Sequence, residues 1–297
     1  MDCDIILGEM SGFMKKLKLK IKVNQEKQDL MECFRERGIA KNKVKTYVKC
    51  GFVLVNGKVV SKLPIIVRKN DEILLDVSIS NNSGLDIVYE DKNYLIVNKI
   101  AGLLSISTSN VNRHYEETLY RLVREYLNKK KEMAFIVNRI DKETSGLVVF
   151  VKNEELKQRL QECWNEIVKK RGYIAVVSGQ IKNKGRIDNY LYEDKQTFSH
   201  STKVGGKRAI TNYRPIKGND KYTMLDINIE TGRKNQIRVH MSEMNHPIVG
   251  DKKYYSKDNC LGRLALHHYE ISFVDPVSGK LLEFKKEVPD EFYSLFN

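Results

Sequence analysis

The chain has 297 residues, 41% of them hydrophobic and 30% charged, with a formal net charge of +14. That length predicts two domains with a sizeable core; no apolar run approaches the ~20 residues of a membrane-spanning helix and the acidic N-terminus is unlike a signal peptide, so a soluble cytoplasmic protein is expected. The five cysteines, Cys3, Cys33, Cys50, Cys163 and Cys260, are odd in number, scattered and without a CxxC pair, which argues against a disulfide framework or a cysteine zinc site and fits a reducing compartment.

Residues 1–14 read as a poorly specified tail. From residue 15 to 62, fourteen Lys or Arg stand against four Asp or Glu, so +10 of the +14 lies in one stretch. A diffuse excess of charge is often only a solvated face, whereas a focused one marks a polyanion-binding surface. Leu17, Leu19, Ile21 and Val23 alternate with Lys18, Lys20 and Lys22, the period of a strand. Helical spacing covers 29–37 and 41–50, the second carrying Lys41, Lys43, Lys45 and Lys49 around Val44 and Val48. Asn56-Gly57 between two β-rich runs is a hairpin signal, and Glu72–Val77 predicts a closing strand. This helix–helix–hairpin segment resembles the S4 RNA-binding domain through its basic second helix, Gly51-Phe52-Val53, Val55-Asn56-Gly57-Lys58 and Lys69–Ile73. The resemblance implies that Lys41, Lys43, Lys45 and Lys49 meet an RNA backbone.

Residues 78–84 are small, polar and turn-rich, a linker composition. The expected organisation is therefore a tail over 1–14, an S4-like domain over 15–78, a linker over 79–84 and a second domain over 85–297. In the second domain Leu85–Tyr89 and Tyr94–Asn98 predict strands and 116–128 a helix. Then comes Val137-Asn138-Arg139-Ile140-Asp141-Lys142-Glu143-Thr144-Ser145-Gly146, followed at once by the apolar strand Leu147–Val151. A carboxylate on such a turn is held at a sheet edge where a substrate can reach it, although an aspartate can equally cap its own turn. Leu156, Leu160, Cys163, Trp164 and Ile167 have helical period. Strands are expected at Tyr173–Ser178, Tyr213–Pro215, Met224–Glu230, Leu264–Phe273 and Leu281–Phe284. Strands outnumber helices and several are joined by short turns, which predicts an α+β domain around a mixed, largely antiparallel sheet.

Arg139–Gly146 resembles the signature of the RluA-type pseudouridine synthases, close to His-Arg-Leu-Asp-x-x-Thr-Ser-Gly. Tyr173–Gly179, Thr231–His240, His246–Asp251, Arg263–His267 and the closing Asp275-Pro276, Gly279 and Pro289-Asp290 also match, in family order, over roughly 85–293. The resemblance implies isomerisation of uridine to pseudouridine in ribosomal or transfer RNA, with no cofactor. Asp141 matches the catalytic aspartate, acting as nucleophile or proton acceptor. Arg238 matches the arginine that pairs with it, and Tyr173 the tyrosine beside the uracil. Arg139 matches an arginine that fills the space left by a flipped base; Arg233 and Leu266 are carried over as substrate contacts. Lys99, Gly102 and Gly232 are expected to shape the site, while Lys142, Glu143 and Lys234 are expected to be solvated. His240, His246, Asp251, His267 and His268 fit no metal-binding spacing such as HExxH and are read as fold and pocket residues. No heptads are present, and a monomer is expected. Asn138, Asn235 and Ile100 depart from the usual His, His and Pro. They keep open a second reading, a catalytically impaired RNA-binding or ribosome-assembly protein on the same scaffold.

Overall fold

A computed structural model of the chain describes residues 17–49, 53–56, 58–60, 63–77, 85–107, 118–194 and 198–297. The expected tail over 1–14, the linker over 79–84, Gly51-Phe52, Gly57 and the side chains of Lys43 and Lys49 lie outside what is described. The chain divides into two compact units, Met1–Asp86 and Ile87–Asn297.

The first unit runs β1 (Leu17–Lys22), β2 (Lys27–Asp29), α1 (Leu30–Arg35), α2 (Lys41–Lys49), β3 (Val53–Val55), β4 (Lys58–Val59), β5 (Ile66–Arg68) and β6 (Glu72–Val77). β1 pairs antiparallel with β6, β6 with β3, and β3 with β4. Asn56 turns the β3–β4 hairpin at φ 50°, a conformation that Asn tolerates better than most residues. The alternation in β1 settles which side faces inward: Ile21 and Val23 are buried, Lys20 and Lys22 exposed. Both helices add to the same core, α1 through Leu30 and Phe34 and α2 through Val44 and Val48. Lys41 and Lys45 are left on the solvent side of α2. Asp29 caps α1, its side chain accepting from the Met31 N–H at 2.7 Å.

The second unit contains β7 (Asp86–Glu90), β8 (Tyr94–Lys99), α3 (Leu119–Asn128), β9 (Phe135–Ile136), β10 (Ser145–Val151), α4 (Glu154–Ile167), β11 (Val168–Ser178), β12 (Gly185–Glu193), β13 (Ser199–Thr202), β14 (Lys207–Gly218) and β15 (Tyr222–Ile229). It continues with α5 (Gln236–Glu243), β16 (Leu266–Val274), β17 (Leu281–Lys285), α6 (Asp290–Tyr293) and a closing 3-10 turn (Ser294–Phe296). The strands form one sheet in the order β13-β12-β14-β15-β11-β16-β10-β8-β7, with β17 beside β16 and β9 beside β10. The fold is α+β and the sheet mixed but mostly antiparallel; β10 and β16 are the parallel pair.

β10 is buried at every position, as its unbroken apolar run anticipates for a strand covered on both faces. α4 is capped by Asn153 and lays Leu156 and Leu160 onto Val149, Val151 and Phe273. Tyr94, Trp164 and Phe284 gather around the Phe273 ring at centroid distances of 5.7, 5.4 and 6.1 Å. β11 begins five residues before the expected Tyr173. Its leading Lys-Lys-Arg-Gly carries no apolar alternation and is held by pairing with β16. β12 and β13 were not anticipated, because their exposed face mixes charge with tyrosine and their signal is weak. α5 escaped for the opposite reason. Gln236 to Met241 are all buried, so the helix has no polar stripe for periodicity to detect.

Gly146 lets the two parallel strands meet. Its φ is 120°, and a Cβ placed there would lie 2.3 Å from the His268 carbonyl oxygen. Gly146→Ala is therefore expected to lower unfolding stability by about 2 kcal/mol or more, through backbone strain plus overlap with a strand that cannot retreat. Denaturant unfolding checks this, and an unchanged midpoint would contradict it.

Candidate active site

The loop carrying Asp141 joins β9 to β10 and is pinned from beneath by main-chain contacts. The Ser105 hydroxyl donates to the Ile140 carbonyl at 2.7 Å and accepts from the Ile140 N–H at 3.3 Å. On the other side of Asp141, the Lys142 carbonyl accepts from the Gly102 N–H at 2.8 Å and from the Lys99 ammonium at 3.0 Å. Lys99 is fully buried and also donates to the carbonyls of Leu103 (2.7 Å) and Ile100 (2.9 Å). Burial pushes its pKa down to about 7, against the pull of Asp141 and Glu143. Three carbonyl acceptors favour the ammonium form, since a neutral amine has only two N–H groups to share among them. Ile100 supplies its carbonyl to this cluster, a role that a proline at that position could also fill.

Asn138 supports the loop's approach. Its side-chain oxygen accepts from the Val149 N–H at 2.7 Å, while the Val137 N–H donates to the Val149 carbonyl at 2.9 Å. The amide thus completes a rung of the ladder at the edge of β10. The departure at this position has a structural use.

Asp141 is half-buried and lines a cleft of about 990 Å³. Burial raises its pKa above the ordinary carboxylate range. The Arg238 charge, the Asn235 N–H donated to its carboxylate, Lys99 and Lys253 all work against that rise. The Asn235 N–H is available because Asn235 takes a left-handed conformation (φ 55°) at the start of α5. A short amide side chain tolerates that backbone region well. The Asn235 side-chain oxygen accepts from Arg238 at 3.0 Å.

Arg238 corrects one expectation. The resemblance implies that it pairs with Asp141, yet its fork closes on Asp251, through Nε at 2.7 Å and Nη2 at 2.7 Å. Asp251 also accepts from the N–H groups of Lys253 and Tyr254, each at 3.0 Å. The guanidinium lies 5.2 Å from the Tyr254 ring centroid. So Arg238 is a fixed cation that acts on Asp141 through space. The competing carboxylate was legible in His246–Asp251, but only folding shows which carboxylate the fork reaches.

Tyr173 lines the same cleft from β11. Burial, then the Asp141 charge, pushes its phenol well above the ordinary value, although Arg171 pulls the other way. The hydroxyl is therefore protonated at neutral pH. Leu266 lines the cleft and is buried; Arg139 lines it and is exposed. Arg233 is also exposed at the cleft, its Nε donating to the Arg208 carbonyl at 2.9 Å. Lys41 and Lys45 belong to the first unit. Arg171, buried and without an acidic neighbour in its hydrogen bonds, lines the cleft too. It donates to the Glu230 carbonyl (2.9 Å) and the Asn165 side chain (3.1 Å). Its place two residues before Tyr173 on one strand face was the available signal. Among the described residues no group of three His, Cys, Asp or Glu is placed to hold a metal ion, and no helix is long and apolar enough to cross a membrane.

The family model for RNA pseudouridylate synthase matches residues 93–243. The ribosomal large subunit pseudouridine synthase D of Neisseria meningitidis is 31% identical over 283 residues, covering 87% of this chain and 74% of that protein. The protein of the same name from Borreliella burgdorferi is 31% identical over 93% of this chain and 90% of its own. Among solved structures, human RNA pseudouridylate synthase domain containing 1 superposes with a TM-score of 0.58 over 72% of this chain and 86% of that one, at 21% identity. That likeness speaks to the fold.

Removing Asp251 strands a buried guanidinium. Asp251→Ala is expected to lose about 3–5 kcal/mol of stability, read by chemical denaturation; a loss below about 1 kcal/mol would place the Arg238 charge in solvent contact. The buried histidines add a pH dependence. Burial lowers His240 and His268 to about 4 and His267 to about 3, from 6.5. The unfolded chain thus binds more protons between these values, so stability falls as pH drops from 6.5 towards 4, by up to about 1.4 kcal/mol per pH unit for each histidine. Asp141, with its raised pKa, opposes this as one group against three. Unfolding free energies at pH 7 and pH 5 check the sign, and equal values would refute it.

Proposed function

The chain belongs to the RNA pseudouridylate synthase family, isomerases of uridine in RNA, and on that premise we propose that Asp141 carries the isomerisation. The glycosidic bond from N1 to C1′ breaks, the uracil turns over, and C5 bonds to C1′. The proton lost from C5 is balanced by the one gained at N1. Nothing is oxidised and nothing is added, so the chemistry needs no cofactor or metal.

The observation that carries this reading is a carboxylate on an internally pinned turn at the cleft, between a fixed arginine and a protonated tyrosine. A raised pKa makes Asp141 a better proton acceptor than a surface carboxylate. Arg238 and the Asn235 N–H favour its ionised form, which nucleophilic attack on the sugar would also need. Both routes fit this geometry. Tyr173 offers a ring face for stacking and an O–H donor, but not a ready base. Reaching the cleft requires the uridine to leave its stack, at about a few kcal/mol. Arg139, exposed at the cleft, is suited to fill the gap.

Large-subunit ribosomal RNA is the proposed substrate, by likeness to relatives named for it, with transfer RNA as the second candidate. The first unit is read as an S4-like RNA grip, because the chain's charge is concentrated there and Lys41 and Lys45 are exposed on one helix face. The protein is proposed to act as a monomer in the cytoplasm, where such RNA resides.

Asp141→Asn is expected to abolish pseudouridine formation in uridine-containing RNA, read by chemical detection of the product, while RNA affinity holds within about twofold. If the wild-type protein forms no pseudouridine and binds RNA as tightly as Asp141→Asn, the assembly-protein reading takes its place. The paired change Lys41→Ala and Lys45→Ala is expected to weaken RNA binding and flatten the slope of log K against log salt by about 1–2. An unchanged slope would remove α2 from the RNA path.

A further inference from the structure

Behind Tyr173 stands a second ring that no part of the proposed chemistry uses. The His268 imidazole lies parallel to the phenol, with centroids 4.4 Å apart and planes at 16°. It is 1% exposed and lines the cleft with Tyr173. Its Nδ1 lies 2.7 Å from the Leu147 carbonyl oxygen. A carbonyl only accepts, so Nδ1 carries the proton and Nε2 holds a lone pair. That Nε2 is buried and makes no hydrogen bond of ordinary geometry, although the Glu270 main chain acts on the electrostatics of the ring. Burial holds the ring neutral at physiological pH. The contact is built on both sides: Tyr173 pairs with His268 across a bulge between β11 and β16, and Gly146 lets β10 close onto the His268 main chain.

We infer that His268 is a positioning residue for the isomerisation, holding the Tyr173 ring plane so that its free face receives the uracil. The imidazole backs one face of the phenol, which leaves a single face for a flipped base to stack on. The Nδ1–H bond to Leu147 ties that ring to the strand that begins four residues after Asp141. Ring plane and carboxylate are thereby referred to one strand, and small errors in such a separation are known to slow chemistry severely. A neutral ring suits the task, because an imidazolium against the phenol would favour tyrosinate and unsettle its neighbours Asp141 and Arg171. The inference rests on Tyr173 being the stacking residue of an active pseudouridine synthase.

Two substitutions separate the stack from the tie. His268→Asn keeps an N–H donor for Leu147 and removes the ring; His268→Phe keeps a ring and removes the donor. For positioning, His268→Asn lowers the single-turnover rate of pseudouridine formation by roughly three- to tenfold, with RNA dissociation constant and melting temperature near wild type. His268→Phe melts lower, since the Leu147 carbonyl is orphaned, yet loses less rate than His268→Asn, because its ring still backs Tyr173. Rate and stability then fall in opposite order. If the rate instead follows melting temperature across both variants, or if His268→Asn reacts as fast as wild type, His268 is an ordinary core residue and the inference is overturned. A wild-type protein that makes no pseudouridine would overturn the functional reading itself, an outcome visible before any variant is compared.

Discussion

A carboxylate drawn out of water is held ionised only by partners that cannot move away, and most of the catalytic unit is arranged around that requirement at Asp141. Burial disfavours its charged form. Four contributions oppose burial, the first three being Arg238 through space, the Asn235 N–H directly and Lys99 from beneath the loop, with Lys253 the smallest. Each of the first three is fixed by something else. Arg238 is clamped by Asp251, the Asn235 N–H by a left-handed turn, and Lys99 by three carbonyls. Compensation by pre-set charges differs from a direct ion pair in one respect. It stabilises the charge without closing a cation's fork over the carboxylate, which keeps only the Asn235 N–H as a direct donor.

The same constraint accounts for residues that at first look like losses. Asn138 and Asn235 stand where histidines are usual, but each amide is put to structural use. Asn138 accepts from the Val149 N–H and completes the rung above the Asp141 turn. Asn235 occupies a backbone region that suits Asn, and its oxygen accepts from Arg238. Both departures therefore lie in the support of a cleft that Asp141, Tyr173 and Arg238 all line. Support of this kind sets geometry rather than chemistry, which agrees with an active isomerase more readily than with an inert scaffold.

Tyr173 faces a related demand. A ring offered to a flipped base must be rigid before the base arrives, since ordering it on binding would weaken the complex. Its neighbours on β11 and β16 supply that rigidity: Arg171 on the same strand face, His268 parallel to the ring, and a bulge that brings the two strands into this register. On the proposed reading, affinity for the RNA backbone comes from elsewhere, from lysines that need only be near phosphate. Stringent geometry in the second unit and loosely specified charge in the first follow from the two tasks.

Much of this was legible in the amino-acid order. The Asp141 turn, the buried strand after it, the α4 stripe and the basic α2 all depend on local periodicity or composition, which a chain carries without folding. The α+β class followed from counting such elements. What stayed hidden depends on contacts between distant segments. α5 is buried all round and so has no periodic signature, and β12 and β13 are held by their partners more than by their own residues. The resemblance offered Asp141 as the partner of Arg238, and only the tertiary arrangement brings Asp251 to its fork instead. Lys99 looked like a site-shaping residue, yet its three acceptors are main-chain carbonyls that no side-chain pattern records. By itself, then, the sequence determined which groups are present and which local elements carry them. Folding decided which charge faces which and which ring backs which, because electrostatics and stacking depend on distances through space that sequence separation does not encode.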